Sequence, residues 1–200
     1  MTRTYYSDLR PNLSTGDLVL FSGKGILSAS IKFFTRSNYS HIGMVLRLEH
    51  DFLAIWESTT LSPLIDLDTG LPTKGVRVVP LSESIRSARK VVVRQLLGAD
   101  ITSSDVEKLM QLRKEFIGRP YEKHETELIK AAYDGPGGAN HSDLSSIFCS
   151  ELVASAYQHI GVMASHIPPN EFTPGDFSEQ GKGIPLLRGY LGNEIPIHAD

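Results

Sequence analysis

The chain has 200 residues, of which 40% are hydrophobic and 22% are charged, and its formal net charge is -3. This composition is typical of a globular domain with a core and argues against a disordered, coiled-coil or collagen-like protein. The slightly acidic balance gives no global electrostatic reason to bind nucleic acid or an anionic membrane surface. The length fits a single domain over 1–200.

Targeting features and the cysteine count favour a protein of a reducing compartment. The first eight residues lack the apolar stretch of a secretory signal peptide, and no run approaches the ~20 apolar residues of a membrane span. The one cysteine, Cys149, can form neither an internal disulfide nor a multi-cysteine zinc site. We expect a cytoplasmic protein, although one exported or injected by a signal-independent route would have the same features.

The predicted elements are strands in the middle of the chain with helices on both sides. After a polar lead-in over 1–13, apolar runs predict five strands, at 18–21, 40–48, 52–58, 76–79 and 90–96. A polar turn makes the second and third of these a β-hairpin. Apolar residues at helical spacing predict helices over 24–35, 105–117 and 146–160, and a surface tail follows over 179–200. This distribution predicts an α+β fold.

Capping residues give two of these helices a predicted start. Ser104 and Glu107 form a capping box for the helix over 105–117, and Ser146 is the predicted N-cap of the last helix. Cys149 then lies in the first turn, where unpaired N–H groups and the helix dipole favour a nucleophilic thiolate. The alternative is a small core residue, because Cys149 shares one helical face with Leu152, Val153, Ala156 and Ile160.

His41 is the candidate base for such a nucleophile. It stands at the start of a strand, directly after Tyr39 and Ser40, where a side chain can reach a cleft. A cysteine nucleophile needs a base that takes its proton and later returns it to the leaving group, and histidine is the usual partner. Taken by itself, however, a histidine is more often a surface or structural residue than a catalytic base.

Glu57 is the candidate group that orients the imidazole. It stands at the far end of the return strand of the hairpin. If His41 lies opposite Thr59, Glu57 shares the face of His41 as a diagonal neighbour. A slip of one residue turns Glu57 to the other face, and the sequence leaves this register open.

Four short motifs together resemble a known family. They are Gly16-Asp17-Leu18-Val19, Tyr39-Ser40-His41-Ile42-Gly43, Phe148-Cys149-Ser150-Glu151-Leu152-Val153 and Thr173-Pro174-Gly175-Asp176. Their order resembles the permuted papain-like amidases, the YiiX-like and circularly permuted branch of the NlpC/P60 superfamily, in which the histidine strand precedes the cysteine helix. The resemblance covers 14–178 and implies a permuted papain-like core, with an antiparallel sheet or small barrel packed against helices.

The resemblance implies a cysteine hydrolase with Cys149 as nucleophile, His41 as base and Glu57 as the orienting group. Gly118-Arg119-Pro120-Tyr121 is similar to the family's Gly-x-x-Tyr segment and places Tyr121 near the substrate, with Tyr39 and Ser40 beside the base. The expected reaction is hydrolysis of an amide bond in a peptide, or a peptidoglycan-type peptide, through a thioacyl-enzyme. We expect a small peptide or acyl substrate, no cofactor, no metal and no nucleic-acid partner.

Two other functions remain open at this point. One is a lipid-directed acyltransferase or thioesterase similar to lecithin:retinol acyltransferase, whose third residue is typically a second histidine; His50 is the nearest candidate, and the helix over 24–35 could dock on lipid. The other is a papain-like scaffold without activity, in which Cys149 is inert. The bond cleaved and the oligomeric state are not fixed by the sequence.

Overall fold

A computed structural model describes residues 4–22, 38–60, 63–120 and 148–200. The predicted helix over 24–35, the predicted cap Ser146 and the predicted substrate residue Tyr121 lie outside these ranges. Within them, four α-helices are present: α1 Tyr6–Leu9, α2 Leu81–Ser87, α3 Ser103–Phe116 and α4 Cys149–His159.

The strands of the described residues form one main sheet and one short ladder. They are β1 Thr4–Tyr5, β2 Leu18–Phe21, β3 His41–Arg47, β4 Leu53–Thr59, β5 Gly75–Pro80, β6 Val91–Arg94, β7 Leu96–Leu97, β8 Tyr190–Leu191 and β9 Ile195–His198. The main sheet has the order β1-β9-β6-β2-β3-β4-β5, and β7 pairs with β8. Every neighbouring pair is antiparallel except β1 and β9. The predicted α+β class and all five predicted strands are confirmed.

Several short elements of the fold were not predicted. The N-terminal lead-in and the C-terminal tail each contribute a strand to the main sheet, because Thr4 pairs with Ile197 and Tyr5 with His198. These strands are too short, and their pairing too distant in sequence, to leave a local pattern. The two turns of α2 are likewise too short for helical periodicity to show.

The predicted cap of α3 is wrong. The helix begins after Thr102, whose hydroxyl accepts a hydrogen bond from the backbone N–H of Asp105 at 3.2 Å. In return, the Asp105 carboxylate accepts one from the backbone N–H of Thr102 at 3.1 Å. This reciprocal pair is the capping box, and it places Ser104 inside the first turn.

Both faces of the main sheet are buried, which explains the continuous apolar runs of its strands. In β2, Leu18 and Leu20 belong to one core cluster, which also contains side chains of α3 and α4. Val19 and Phe21 belong to a second cluster, which contains side chains of α1 and α2. Consecutive residues of a strand point to opposite faces, so β2, β3, β4, β5 and β6 supply both cores.

The register of β3 and β4 decides which side chains meet at the start of the hairpin. Gly43 lies opposite Glu57, and continuing this register places His41 opposite Thr59. Glu57 therefore shares the face of His41. A Cβ at Gly43 would lie 2.6 Å from the Cδ1 atom of Ile55, so a larger residue at this position would force Ile55 to shift.

Candidate active site

His41, which is half-buried, and Glu57, which is buried, form a pair on adjacent strands. The Nε2 atom of His41 lies 2.7 Å from the Oε2 atom of Glu57. The His41 side chain keeps 20% of its surface exposed, whereas that of Glu57 keeps 3%. Because Glu57 engages Nε2, the remaining ring nitrogen, Nδ1, is the one available to a partner at the open side.

Arg77 holds the other oxygen of the same carboxylate. Its Nε and Nη2 atoms lie 3.0 and 2.8 Å from the Oε1 atom of Glu57. Arg77 is directly opposite Glu57 in the register of β4 and β5. The sequence analysis missed Arg77, although a charged residue between Val76 and Val78 in an otherwise apolar strand was a signal for a buried partner.

These contacts set the protonation states of the pair. Burial raises the pKa of Glu57, but the charge of His41 and its hydrogen bond, followed by those of Arg77, outweigh burial and lower it. Burial lowers the pKa of His41, but the charge of Glu57, together with hydrogen bonds to Cys149 and Glu57, raises it to about 10. The site therefore favours an imidazolium held by a carboxylate.

Cys149 is the first residue of α4, and its thiol lies beside the imidazole. Both the charge of Cys149 and a hydrogen bond with it contribute to raising the pKa of His41. Phe148 is the N-cap residue, and its backbone N–H donates to the Oε2 atom of Glu151 at 3.2 Å. The Phe21 ring packs against the imidazole with 5.3 Å between centroids. The structure thus brings the predicted Cys149, His41 and Glu57 together.

The three residues expected to bind substrate have different environments. Tyr39 is buried, and its hydroxyl donates a hydrogen bond to the carboxylate of Glu194. Burial, followed by this hydrogen bond and the charge of Glu194, raises the pKa of Tyr39. The backbone N–H of Ser40 donates to the carbonyl of Phe21 at 3.0 Å. Tyr121 lies outside the described residues, and a role in substrate binding stays a prediction for all three.

His50 is not positioned to orient His41. It lies exposed in the 3₁₀ turn Glu49–Asp51, with a φ of 54°, at the opposite end of the hairpin. At about 3.3 Å per residue, the length of β3 separates the two histidines by roughly 20 Å. The side chain that lies beside His41 is that of Glu57, not that of His50.

Two further properties bear on the class of site. In the ranges that the structure describes, no group of three or more His, Cys, Asp or Glu side chains is arranged to hold a metal ion. Over the same ranges, no helix combines the length and the apolar character needed to cross a bilayer.

The order of the site residues along the chain agrees with a family comparison. The family model of the permuted papain-like amidase enzymes of the YaeF/YiiX type, peptidase family C92, matches residues 12–183. The chain belongs to this family. The matched range contains Cys149, His41 and Glu57, and the predicted family and permuted papain-like fold are confirmed. Membership of the wider NlpC/P60 superfamily stays a prediction.

A solved structure supports the same fold for this C92 family member. The chain is similar to a crystal structure described as the metalloprotein YiiX from Escherichia coli O157:H7, with a TM-score of 0.53 and 21% sequence identity. The similarity covers 94% of this chain and 97% of that one. No curated protein sequence matches the chain. At this identity, the comparison shows the fold alone, and the chemistry has to be inferred from the residues of the site.

Proposed function

We propose that this protein is a cysteine hydrolase that cleaves an amide bond in a peptide, or a peptidoglycan-type peptide, through a thioacyl-enzyme intermediate. The observation that carries the proposal is the arrangement of a thiol at the start of a helix, an imidazole beside it and a carboxylate 2.7 Å from that imidazole. Membership of an amidase family supports the choice of an amide.

In the first half of the reaction, the Cys149 thiolate attacks the carbonyl carbon of the substrate. We assign the backbone N–H of Cys149, at the start of α4, as a donor that stabilises the developing oxyanion. The C–N bond then breaks, and His41 gives its proton to the departing amine. Glu57 stabilises the imidazolium before transfer and keeps the ring oriented, which is the role of the carboxylate in catalytic triads.

In the second half, water releases the acyl group. Neutral His41 takes a proton from the water molecule as its oxygen attacks the thioester carbon. The C–S bond breaks and leaves a free carboxylic acid, the Cys149 thiolate and a protonated His41, which restores the starting state. Because the thiol must stay reduced for each cycle, we propose that the protein acts in a reducing compartment such as the cytoplasm.

Alkylation of Cys149 by iodoacetamide from pH 4 to 10 tests the activated thiol. The chain has one cysteine, so the readout is unambiguous. We expect the native protein to react at pH 6 faster than a free thiol, whose pKa is about 8.5. His41→Ala should lower this rate at least roughly tenfold, since it removes the paired imidazolium. His159→Ala, at an exposed histidine at the other end of α4, is the matched control.

Two results would contradict the proposal at different levels. In the first, Cys149 reacts only after denaturation, or reacts at the same rate in the native protein, His41→Ala and His159→Ala. Cys149 would then be a packing residue, which favours the inactive scaffold. If the thiol is activated, intact-mass measurement with peptide amides, peptidoglycan stem peptides and lipid esters should detect the thioacyl-enzyme. Acylation by lipid esters alone would favour the acyltransferase.

A further inference from the structure

Arg77 is placed to control the carboxylate that faces the imidazole. Its guanidinium bonds only one oxygen of Glu57, Oε1, through two nitrogen atoms, while Oε2 bonds His41. The side chains of Arg77 and Glu57 are 4% and 3% exposed. Three adjacent strands thus align an arginine, a glutamate and a histidine toward Cys149.

We propose that Arg77 is a positioning residue of the active site, which keeps Glu57 ionised and turns its Oε2 atom toward His41. This inference rests on the proposed function of Cys149, His41 and Glu57. It assigns Arg77 no contact with substrate.

The buried carboxylate of Glu57 needs a second cationic partner besides His41. A carboxylate taken out of water is costly unless it is paired, and otherwise takes up a proton. His41 alone cannot serve as that partner throughout the reaction, because it becomes neutral when it protonates the leaving group. Arg77 stays charged at every step, so Glu57 remains a carboxylate when His41 must be reprotonated.

The surroundings of Arg77 hold its guanidinium in one position. Its two contacts on Oε1 form a fork, and its Nη1 atom lies 3.4 Å from the carbonyl oxygen of Thr73. Strand β5 is held at the sheet edge by hydrogen bonds from the N–H of Val78 to Asp66 and from the N–H of Val76 to the carbonyl of Arg119. A fixed guanidinium leaves the carboxylate of Glu57 little freedom to rotate.

The test is the pH profile of Cys149 alkylation in Arg77→Met and Arg77→Lys. In Arg77→Met, Glu57 should take up a proton at higher pH, so the midpoint at which reactivity is lost on acidification should rise, by at most the roughly 1 to 3 pH units by which a guanidinium shifts the pKa of a neighbouring carboxyl group. Arg77→Lys keeps the positive charge but cannot form two hydrogen bonds to Oε1 of Glu57, so its alkylation midpoint should rise less than that of Arg77→Met. Arg86→Met is the matched control, because Arg86 pairs with Glu83 at the surface and should leave the midpoint unchanged.

A double variant separates positioning from a purely structural role. In the Glu57→Gln background, Arg77→Met should leave the midpoint where Glu57→Gln alone puts it, because the group through which Arg77 acts is gone. This double variant also removes both buried charges, so it stays informative if Arg77→Met does not fold. Folding of each variant is checked by circular dichroism.

The outcomes distinguish this inference from the proposed function. An unreactive thiol in the native protein would overturn both. A reactive thiol that depends on His41, with the same midpoint in folded Arg77→Met and Arg77→Lys, would overturn the role of Arg77 alone. An equal shift on removing Arg77 with and without Glu57 would also overturn it, because Arg77 would then act by another route.

Discussion

Replacement of Glu57 by glutamine is the sharpest test of the electrostatics of the site. Glutamine keeps the shape of the side chain and an oxygen that can accept a hydrogen bond from Nε2 of His41, but it removes the charge. The charge of Glu57 is the largest of the influences that raise the pKa of His41. Without it, burial lowers that pKa and the imidazolium beside Cys149 is no longer favoured.

The geometry gives the size of the effect. An N–O distance of 2.7 Å places the two charge centres about 4 Å apart, which corresponds to about 4 kcal/mol at an effective dielectric constant of ~20. That energy is equivalent to about three pH units. Arg77 offsets part of the carboxylate charge, so we expect the alkylation rate of Cys149 at pH 6 to fall roughly 10- to 100-fold.

The assay compares initial iodoacetamide rates in the wild type, Glu57→Gln and Glu83→Gln. Glu57→Gln leaves Arg77 without its carboxylate, at a cost of about 3 to 5 kcal/mol in the free energy of unfolding, so rates are measured well below the unfolding midpoint. Glu83→Gln removes an exposed partner of Arg86 and should change neither rate nor stability measurably. A Glu57→Gln rate within twofold of the wild type would refute the electrostatic argument.

Three further predictions concern stability. The pKa of His41 is raised from 6.5 to about 10, so the stabilisation from its charged form is complete below about pH 6.5 and is lost as the pH rises toward 10. The difference in unfolding free energy between wild type and His41→Ala, measured in urea, should therefore shrink from pH 6 to pH 9. A constant difference would contradict this. Gly43→Ala should cost about 1 to 3 kcal/mol in thermal unfolding, because its Cβ would lie 2.6 Å from Ile55, and an unchanged midpoint would show that Ile55 moves freely. Thr102→Ala should cost about 1 kcal/mol in urea unfolding through loss of the α3 cap, whereas Ser104→Ala should cost clearly less; the reverse order would reinstate the cap predicted from sequence.

Local sequence patterns were enough to predict the main strands, the class of the fold and three residues of the candidate site. Apolar runs between turn residues predict strands because burial on both faces leaves few polar positions in them. The order of the histidine strand and the cysteine helix, with their short motifs, was enough to predict the family. Each motif is a contiguous stretch of chain, and the order of the motifs can be read without knowing how the chain folds.

The tertiary structure decided what depends on pairing between distant segments. The sequence allowed two registers for the hairpin, and the observed one brings Glu57 to His41. Arg77 could not be placed beside Glu57, because the long connection between β4 and β5 does not fix how those strands align. Strand register is set by turn geometry and by packing against both cores, and a shift of one residue turns every side chain to the other face. The sequence by itself therefore determined which residues could react, and only the tertiary structure determined which of them meet.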